Sequence, residues 1–373
     1  MRGCLGRLMV AMILLLSCAT GWAAGAPPLA STASVAETIA PYAPRFGRTR
    51  PVVAVVGVNE GTVLPDYAVP YGILARSGLA DVVALAVSAG PMKLPPLTIR
   101  PDSTLAQFDG RYPQGADYVF VPAVDMAQQR NPALLGWLAA QEGKGATLIG
   151  ICNGSIVLAN AGLLHGRRAT GHFSTEKARR EHFPDTAWVK NTRYQVDGRI
   201  VTSAGISAAL PVSLALVEAI GGRDAAARQA EELGVAEWSA RHNSDVFHIG
   251  AGDYASGIAD MLFHRTRQVG IPVATGVDEV ALALVAEAYS VTLRSQAYAL
   301  GQSASAVRTR GGLWLLPDRV AGQGQEPDLV LPLPEGVSPV QALEQSLNDI
   351  VARFGKDSAR FVALDMEYPW QGL

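Results

Sequence analysis

The stretch "LIGICNGSIVLANAGLL", Leu148 to Leu164, constrains the fold more than any other part of the chain. An apolar run stops at Cys152, the small polar residues Asn153, Gly154 and Ser155 follow, and an apolar stretch of helical character begins. This is a strand, a tight corner and a helix start, the unit from which parallel α/β sheets are built. In such sheets ligands bind beyond the carboxyl ends of the strands, and a corner residue points there.

Similar units flank this corner. "PVVAVVGV" from Pro51 reads as a buried parallel strand, and "PDYAVPYGILARSG" as a turn and a helix ending at Gly78. "ADVVALAVS", "GADYVFVPA" and "ATLIGI" read as further strands. "NPALLGWLAAQEGKG" reads as a helix with Pro132 near its start, and "AALPVSLALVEAIGG" as a helix closed by glycines. "YQVDGRIVTSAG" reads as a hairpin with Asp197-Gly198 at its tip. The expectation is an α/β fold: a flavodoxin-like parallel sheet sandwiched by helices, with a nucleophile elbow at Cys152. The chain has 373 residues and is 49% apolar and 17% charged, which allows a large core. Its net charge of −2 leaves no nucleic-acid footprint.

The amino terminus reads as an export signal. Arg2 and Arg7 precede the nine-residue apolar run Leu8 to Leu16, and small residues follow. Cleavage has two readings. Leu15-Leu16-Ser17-Cys18 resembles a lipobox, which would make Cys18 a lipidated first residue; a general signal peptidase would instead cut within Gly21 to Ala26. The expected layout is a signal peptide over 1–24, a tether over 25–50 and a first domain over 51–235. A connecting segment over 236–269 and a C-terminal region over 270–373 complete it. With Cys4 removed and Cys18 removed or lipidated, Cys152 is the one thiol left, without a disulfide partner.

The C-terminal region echoes the first domain. "VGVNEGTVLPDYAVPYGI" is echoed by "TGVDEVALALVAEAYSV", "GADYVFVP" by "EPDLVLPLP", Asn131-Pro132 by Ser338-Pro339, and "GATLIGIC" by "SARFVALD". The separations are 219, 211, 207 and 213 residues, a nearly constant register. The region is therefore expected to be a degenerate α/β half-copy, with Asp365 standing where a nucleophile would be. From Gly270 to Leu373 there are 7 Lys/Arg against 12 Asp/Glu, a balance of −5, which argues against a DNA-binding tail.

A helix N-terminus directly after a thiol offers unpaired N–H groups and partial positive charge, both favouring thiolate. Gly150-Ile151-Cys152-Asn153-Gly154 follows the logic of the G-x-S-x-G elbow with cysteine as nucleophile. The run "CNGSIVLANAGLLHGRRATGH", with "PDYAVPYGIL" and "TSAGISAALPVSLAL", resembles the ThiJ/PfpI superfamily and its class I glutamine-amidotransferase-like fold. Within it, the chain resembles the isocyanide hydratases and the amidase-like domains of AraC-type regulators, over roughly residues 50 to 235. The resemblance implies Cys152 as nucleophile and Asp66 as the aspartate that accompanies it. Glu60 lies near where other branches place a glutamate against the thiol, and His172 matches a histidine of the same branch. Asp66 also reads as an N-cap for a helix from about Ala68, Glu60 as a loop residue, and His172 as a helix-start residue.

Two departures bear on chemistry. Asn153 stands where the hydratases have threonine and some peptidase-like members histidine, so an adjacent Cys-His dyad is absent. Pro122-Ala123-Val124 stands where the family reads Pro-Gly-Gly, which puts the Ala123 half of an oxyanion site in doubt and leaves the N–H groups of Asn153 and Gly154. His165 reads as a loop residue. His242, Asp245 and His248 fit no standard zinc spacing, and no metal or other cofactor is expected.

Together these readings imply an exported protein whose cysteine attacks a small electrophilic molecule, isocyanide hydratase-like or amidase-like, hence a hydro-lyase or hydrolase. The alternative is a non-enzymatic small-ligand or redox sensor, or a scaffold, in the cell envelope. Expected partners are a small-molecule substrate or ligand, no nucleic acid, a membrane through an N-terminal lipid, and a second copy or an intrachain pseudo-dimer.

Overall fold

The computed structural model describes residues 37–250 and 264–373. The expected signal peptide, its cleavage sites and Cys18 lie outside the described residues. Among the described residues no helix is long and apolar enough to cross a membrane.

The main sheet has seven strands in the order β10-β11-β7-β6-β1-β2-β5. They are β1 (Val52–Gly57), β2 (Asp81–Ala86), β5 (Ser103–Thr104), β6 (Tyr118–Val121), β7 (Thr147–Gly150), β10 (Tyr194–Asp197) and β11 (Ile200–Ser203). All neighbours are parallel except the β10–β11 hairpin, which turns at Asp197-Gly198 as expected. Alternation sorts β1 between two cores: Val53 and Val55 join one, Val52, Ala54 and Val56 the other.

Helices α1 (Leu64–Ser77), α2 (Leu105–Arg111), α3 (Pro132–Gly143), α4 (Gly154–Asn160), α5 (Glu176–His182), α6 (Ala209–Gly221) and α7 (Arg223–Leu233) accompany this sheet. Gly78 closes α1 in the left-handed region, φ 68°. Asn131 caps α3 by accepting from Leu134 N, beside Pro132. Short pieces β3 (Met92–Leu94), β4 (Leu97–Arg100), β8 (Arg168–Ala169) and β9 (Ala187–Trp188) lie outside the main sheet.

The C-terminal region is a second, partial α/β unit. Its strands are β12 (Arg267–Val273), β13 (Ser295–Gly301), β14 (Val307–Arg308), β15 (Trp314–Leu316), β16 (Arg319–Val320) and β17 (Leu329–Val330). Its helices are α8 (Glu279–Ser290), α9 (Pro339–Phe354) and α10 (Lys356–Asp365). A parallel sheet runs β16-β13-β12-β17, while β14 and β15 extend the β4–β3 ribbon of the first domain. Helix α8 packs on α1, and one continuous core holds Val53, Ile149 and Cys152 together with Ile271, Leu282 and Leu347.

Two expectations change here. "SARFVALD" is not a strand ending in an elbow but part of helix α10, with Asp365 its last residue. Ala359, Val362, Ala363 and Met366 are buried at helical spacing, which a strand would not produce. From residue 37 on, the expected tether is tied down instead. Arg45 and Arg48 each hold one oxygen of the buried Asp117 at 2.8 Å, and Tyr42 N donates to Ala219 O.

Candidate active site

The elbow is built by backbone bonds. Ile151 N donates to Val121 O, Gly154 N to Ile151 O at 2.7 Å, and Ser155 Oγ to Cys152 O at 2.9 Å. Between these ties Cys152 has a φ of 55°, left-handed for a residue with a side chain. Such a backbone costs about 1–3 kcal/mol and persists only where the surroundings over-determine it. The close approach of α4 to the end of β6 requires glycine at 154, because a Cβ there would overlap Val121 O.

Cys152 is 6% exposed. Burial pushes it well above its ordinary value, and so does the Asp66 carboxylate; the Asn153 N–H on the sulfur pulls the other way, and Glu367 and Asp365 add to the rise. The thiolate expected from the helix N-terminus is therefore not the resting form: desolvation and three carboxylates outweigh it. Alkylation of Cys152 by iodoacetamide should be at least roughly tenfold slower at pH 7 than that of an ordinary thiol of pKa ~8.5, and should accelerate above pH 9. Fast alkylation at pH 6 would contradict this account.

Asp66 sits in the first turn of α1, wholly buried; the N-cap position belongs to Val63, so the capping reading is not realised. Its Oδ2 accepts from Ala123 N at 3.0 Å. That bond occupies the Ala123 N–H, and the bond to Ile151 O occupies that of Gly154. Of the three expected oxyanion donors, Asn153 N–H is the one left, and it acts to lower the thiol. The Asn153 side chain accepts from Thr175 Oγ1 at 2.7 Å.

Glu60 does not join the site. Its side chain is 73% exposed and pairs with Lys93 at 3.1 Å. His172 is buried, and its tautomer follows from its partners. The Asp365 carbonyl at 3.1 Å can only accept, so Nε2 carries the proton. Nδ1 then accepts from Ser174 Oγ at 2.7 Å and Ser174 N at 3.3 Å. His172 thus braces a neighbouring segment rather than receiving a proton from the thiol. His165 is exposed near Asp185, and Asp245 accepts from Asn191. His242 pairs with Glu367 at 2.9 Å. Among the described residues no His/Cys/Asp/Glu group is arranged to hold a metal ion.

Two groups escaped the sequence reading. Arg179, 3% exposed, donates to Gly171 O, His172 O and Thr175 Oγ1, and its guanidinium lies 4.9 Å from the Trp188 ring centroid. Burial lowers it to about 10, while an ionised Cys152, Glu176 and Glu367 act to raise it. Arg179 and Thr175 hold Asn153, and with it the elbow, from the side. The other group is the segment Asp365–Glu367, buried against His172, Phe173, Ser207 and His242. Neither carries a local motif. "STEKARR" reads as an ordinary polar helix, and Glu367 lies in the C-terminal tail.

The DJ-1/PfpI family model matches residues 53–219. The HTH-type transcriptional regulator CdhR of Pseudomonas aeruginosa is 38% identical over 118 residues, 31% of this chain and 35% of that protein, so the match spans about a third of the regulator's length. The Parkinson disease protein 7 homolog of Danio rerio is 26% identical over 181 residues, 47% of this chain and 93% of that one. Among solved structures, Drosophila melanogaster DJ-1beta is similar with a TM-score of 0.45 and 23% identity, over 51% of this chain and all of that chain. An AraC family transcriptional regulator from Pseudomonas putida is similar with a TM-score of 0.42 and 19% identity, over 48% of this chain and 97% of that one.

Proposed function

We propose, from the match of residues 53–219 to the DJ-1/PfpI family model, that the protein is an exported enzyme in which Cys152 attacks the electrophilic carbon of a small molecule. The observation that carries this reading is Cys152 itself: a cysteine held at φ 55° on a strand–helix corner, with the buried carboxyl of Asp66 acting on its ionisation. A buried filler cysteine has no need of a left-handed backbone.

In this reading the thiol rests protonated beside the Asp66 carboxylate. Asp66 takes the thiol proton as Sγ attacks, then returns it to the substrate. For an isocyanide, the reaction suggested by the sequence resemblance, sulfur bonds to the terminal carbon and the proton from Asp66 joins the same carbon, giving a thioimidate. Water adds to that carbon and the thiol leaves, regenerating Cys152 and releasing an N-substituted formamide. The Asn153 N–H steadies the sulfur when it carries charge.

The test is incubation with an aryl isocyanide while formamide is followed. Turnover should vanish in Cys152→Ser and fall roughly 100-fold or more in Asp66→Asn, the usual scale of general acid–base catalysis. No formamide from the unmodified protein would rule out the hydratase reading. Export is checked by the mass of the mature N-terminus, which also decides between lipidation at Cys18 and cleavage within Gly21 to Ala26.

A second reading has one observation in its favour. The stretch that is 38% identical belongs to a protein named as a transcriptional regulator and not as an enzyme, and this supports the non-enzymatic reading, a small-ligand sensor. Saturable ligand binding that survives in Cys152→Ser, with no product formed, would support it.

A further inference from the structure

The last residue of α10 and the tail beyond it make a continuous set of bonds to the first domain. Three successive carbonyls are all taken: Asp365 O by His172 Nε2 at 3.1 Å, Met366 O by Ser207 N at 2.9 Å, and Glu367 O by Ser207 Oγ at 2.6 Å. The Glu367 carboxylate is taken as well. Oε1 meets His242 Nε2 at 2.9 Å, and Oε2 accepts from Phe173 N at 3.3 Å. Glu367 is 1% exposed and has a φ of 49°. Gly205 is matched to it, because a Cβ there would collide with the Glu367 side chain and come within 2.8 Å of His172 Cδ2.

A simple anchor would not need this arrangement. Burying a carboxylate costs several kcal/mol unless it is paired and hydrogen-bonded, and apolar residues anchor a tail with less penalty. Of the two loops that Glu367 grips, 172–173 follows β8 and reaches the elbow through His172 O, Thr175 and Asn153, and 205–207 follows β11. Glu367 also lies outside residues 53–219, so the family match assigns it nothing.

We infer that Glu367 is a positioning residue of the Cys152 site, supplied by the C-terminal region, which seats the 365–367 segment on the elbow's loops and holds a buried carboxylate in the cluster around His172. The site is then composite: the second α/β unit completes it within one chain. The charged groups acting on Cys152 are Asp66 from α1, Arg179 from α5, Asp365 from the end of α10 and Glu367 from the tail; His172 and His242 bond to this last segment, at Asp365 O and Glu367 Oε1. Glu367 and Asp365 both act to keep the Cys152 proton in place.

This inference rests on Cys152 being the functional centre but not on any substrate, so its test reads the thiol and not turnover. Iodoacetamide labelling of Cys152 in the full chain, followed by peptide mass against pH, is the measurement. Glu367→Gln keeps the shape and removes the charge, and should move the labelling midpoint down by about one pH unit. Ser207→Ala keeps the charge and loosens the segment. It should speed labelling roughly fivefold at every pH without moving the midpoint, as loss of one tertiary hydrogen bond allows. A Glu367→Gln profile that superimposes on the unmodified one overturns the inference. Should that variant fail to fold by circular dichroism, labelling of Ser207→Ala at the unmodified rate overturns it instead.

Discussion

Gly154→Ala is expected to destabilise the protein by about 3 kcal/mol or more, at or above the upper end of what overpacking a core costs. The methyl carbon would lie 1.9 Å from Val121 O, and the next nearest atoms are also backbone: Val121 C at 3.0 Å and Pro122 C at 3.2 Å. No side chain can swing aside, so α4 must move away from the end of β6. That shift carries Asn153 off the sulfur and releases the bond from Ile151 N to Val121 O. Urea unfolding monitored by tryptophan fluorescence measures the loss. A change under 1 kcal/mol would mean that the corner yields, and that the close approach of α4 is not what holds Cys152 at positive φ.

Arg76→Met should cost about 3–5 kcal/mol, the usual penalty for leaving a buried charge without its partner. Arg76, with a side chain only 7% exposed, reaches from α1 to the start of α8. There it holds both Asp278 oxygens and Glu279 Oε1. Glu279 is almost fully enclosed and would keep only the Gly311 N–H. Asp278 also caps α8 by accepting from Val280 N and Ala281 N. Burial alone would raise the Asp278 carboxyl, but the Arg76 bonds and charge hold it below the usual carboxylate range. A depressed carboxyl contributes stability above its unfolded pKa of ~3.9, and the contribution is lost as pH falls through the folded value. The difference in unfolding free energy between the two proteins should therefore be full at pH 7 and shrink towards pH 3. A difference independent of pH would assign the loss to packing instead.

The strands and helices of the first domain were legible because each has its own period: the β-branched run Val52–Val56, the Asn131-Pro132 helix start and the Asp197-Gly198 hairpin are all local signals. "SARFVALD" misled because a short apolar run suits a strand or a buried helix equally. Only the burial of Ala359, Val362, Ala363 and Met366 on one side decides it. Asp66 was legible through its motif, whereas Glu60, six residues earlier in the same loop and helix start, was not separable from it by sequence. The fold turns one into the core and leaves the other against Lys93 in solvent.

The residues themselves determine the elbow: glycines flanking Cys152 where a side chain would collide, and a helix beginning where the strand stops. What tertiary structure alone decides is the state of the thiol. Sequence reasoning sees the helix N-terminus that would lower it. Burial and the carboxylates of Asp66, Asp365 and Glu367 raise it, and two of those three arrive from more than 200 residues away. Desolvation and Coulomb interaction depend on distance through space, and distance along the chain carries no information about either.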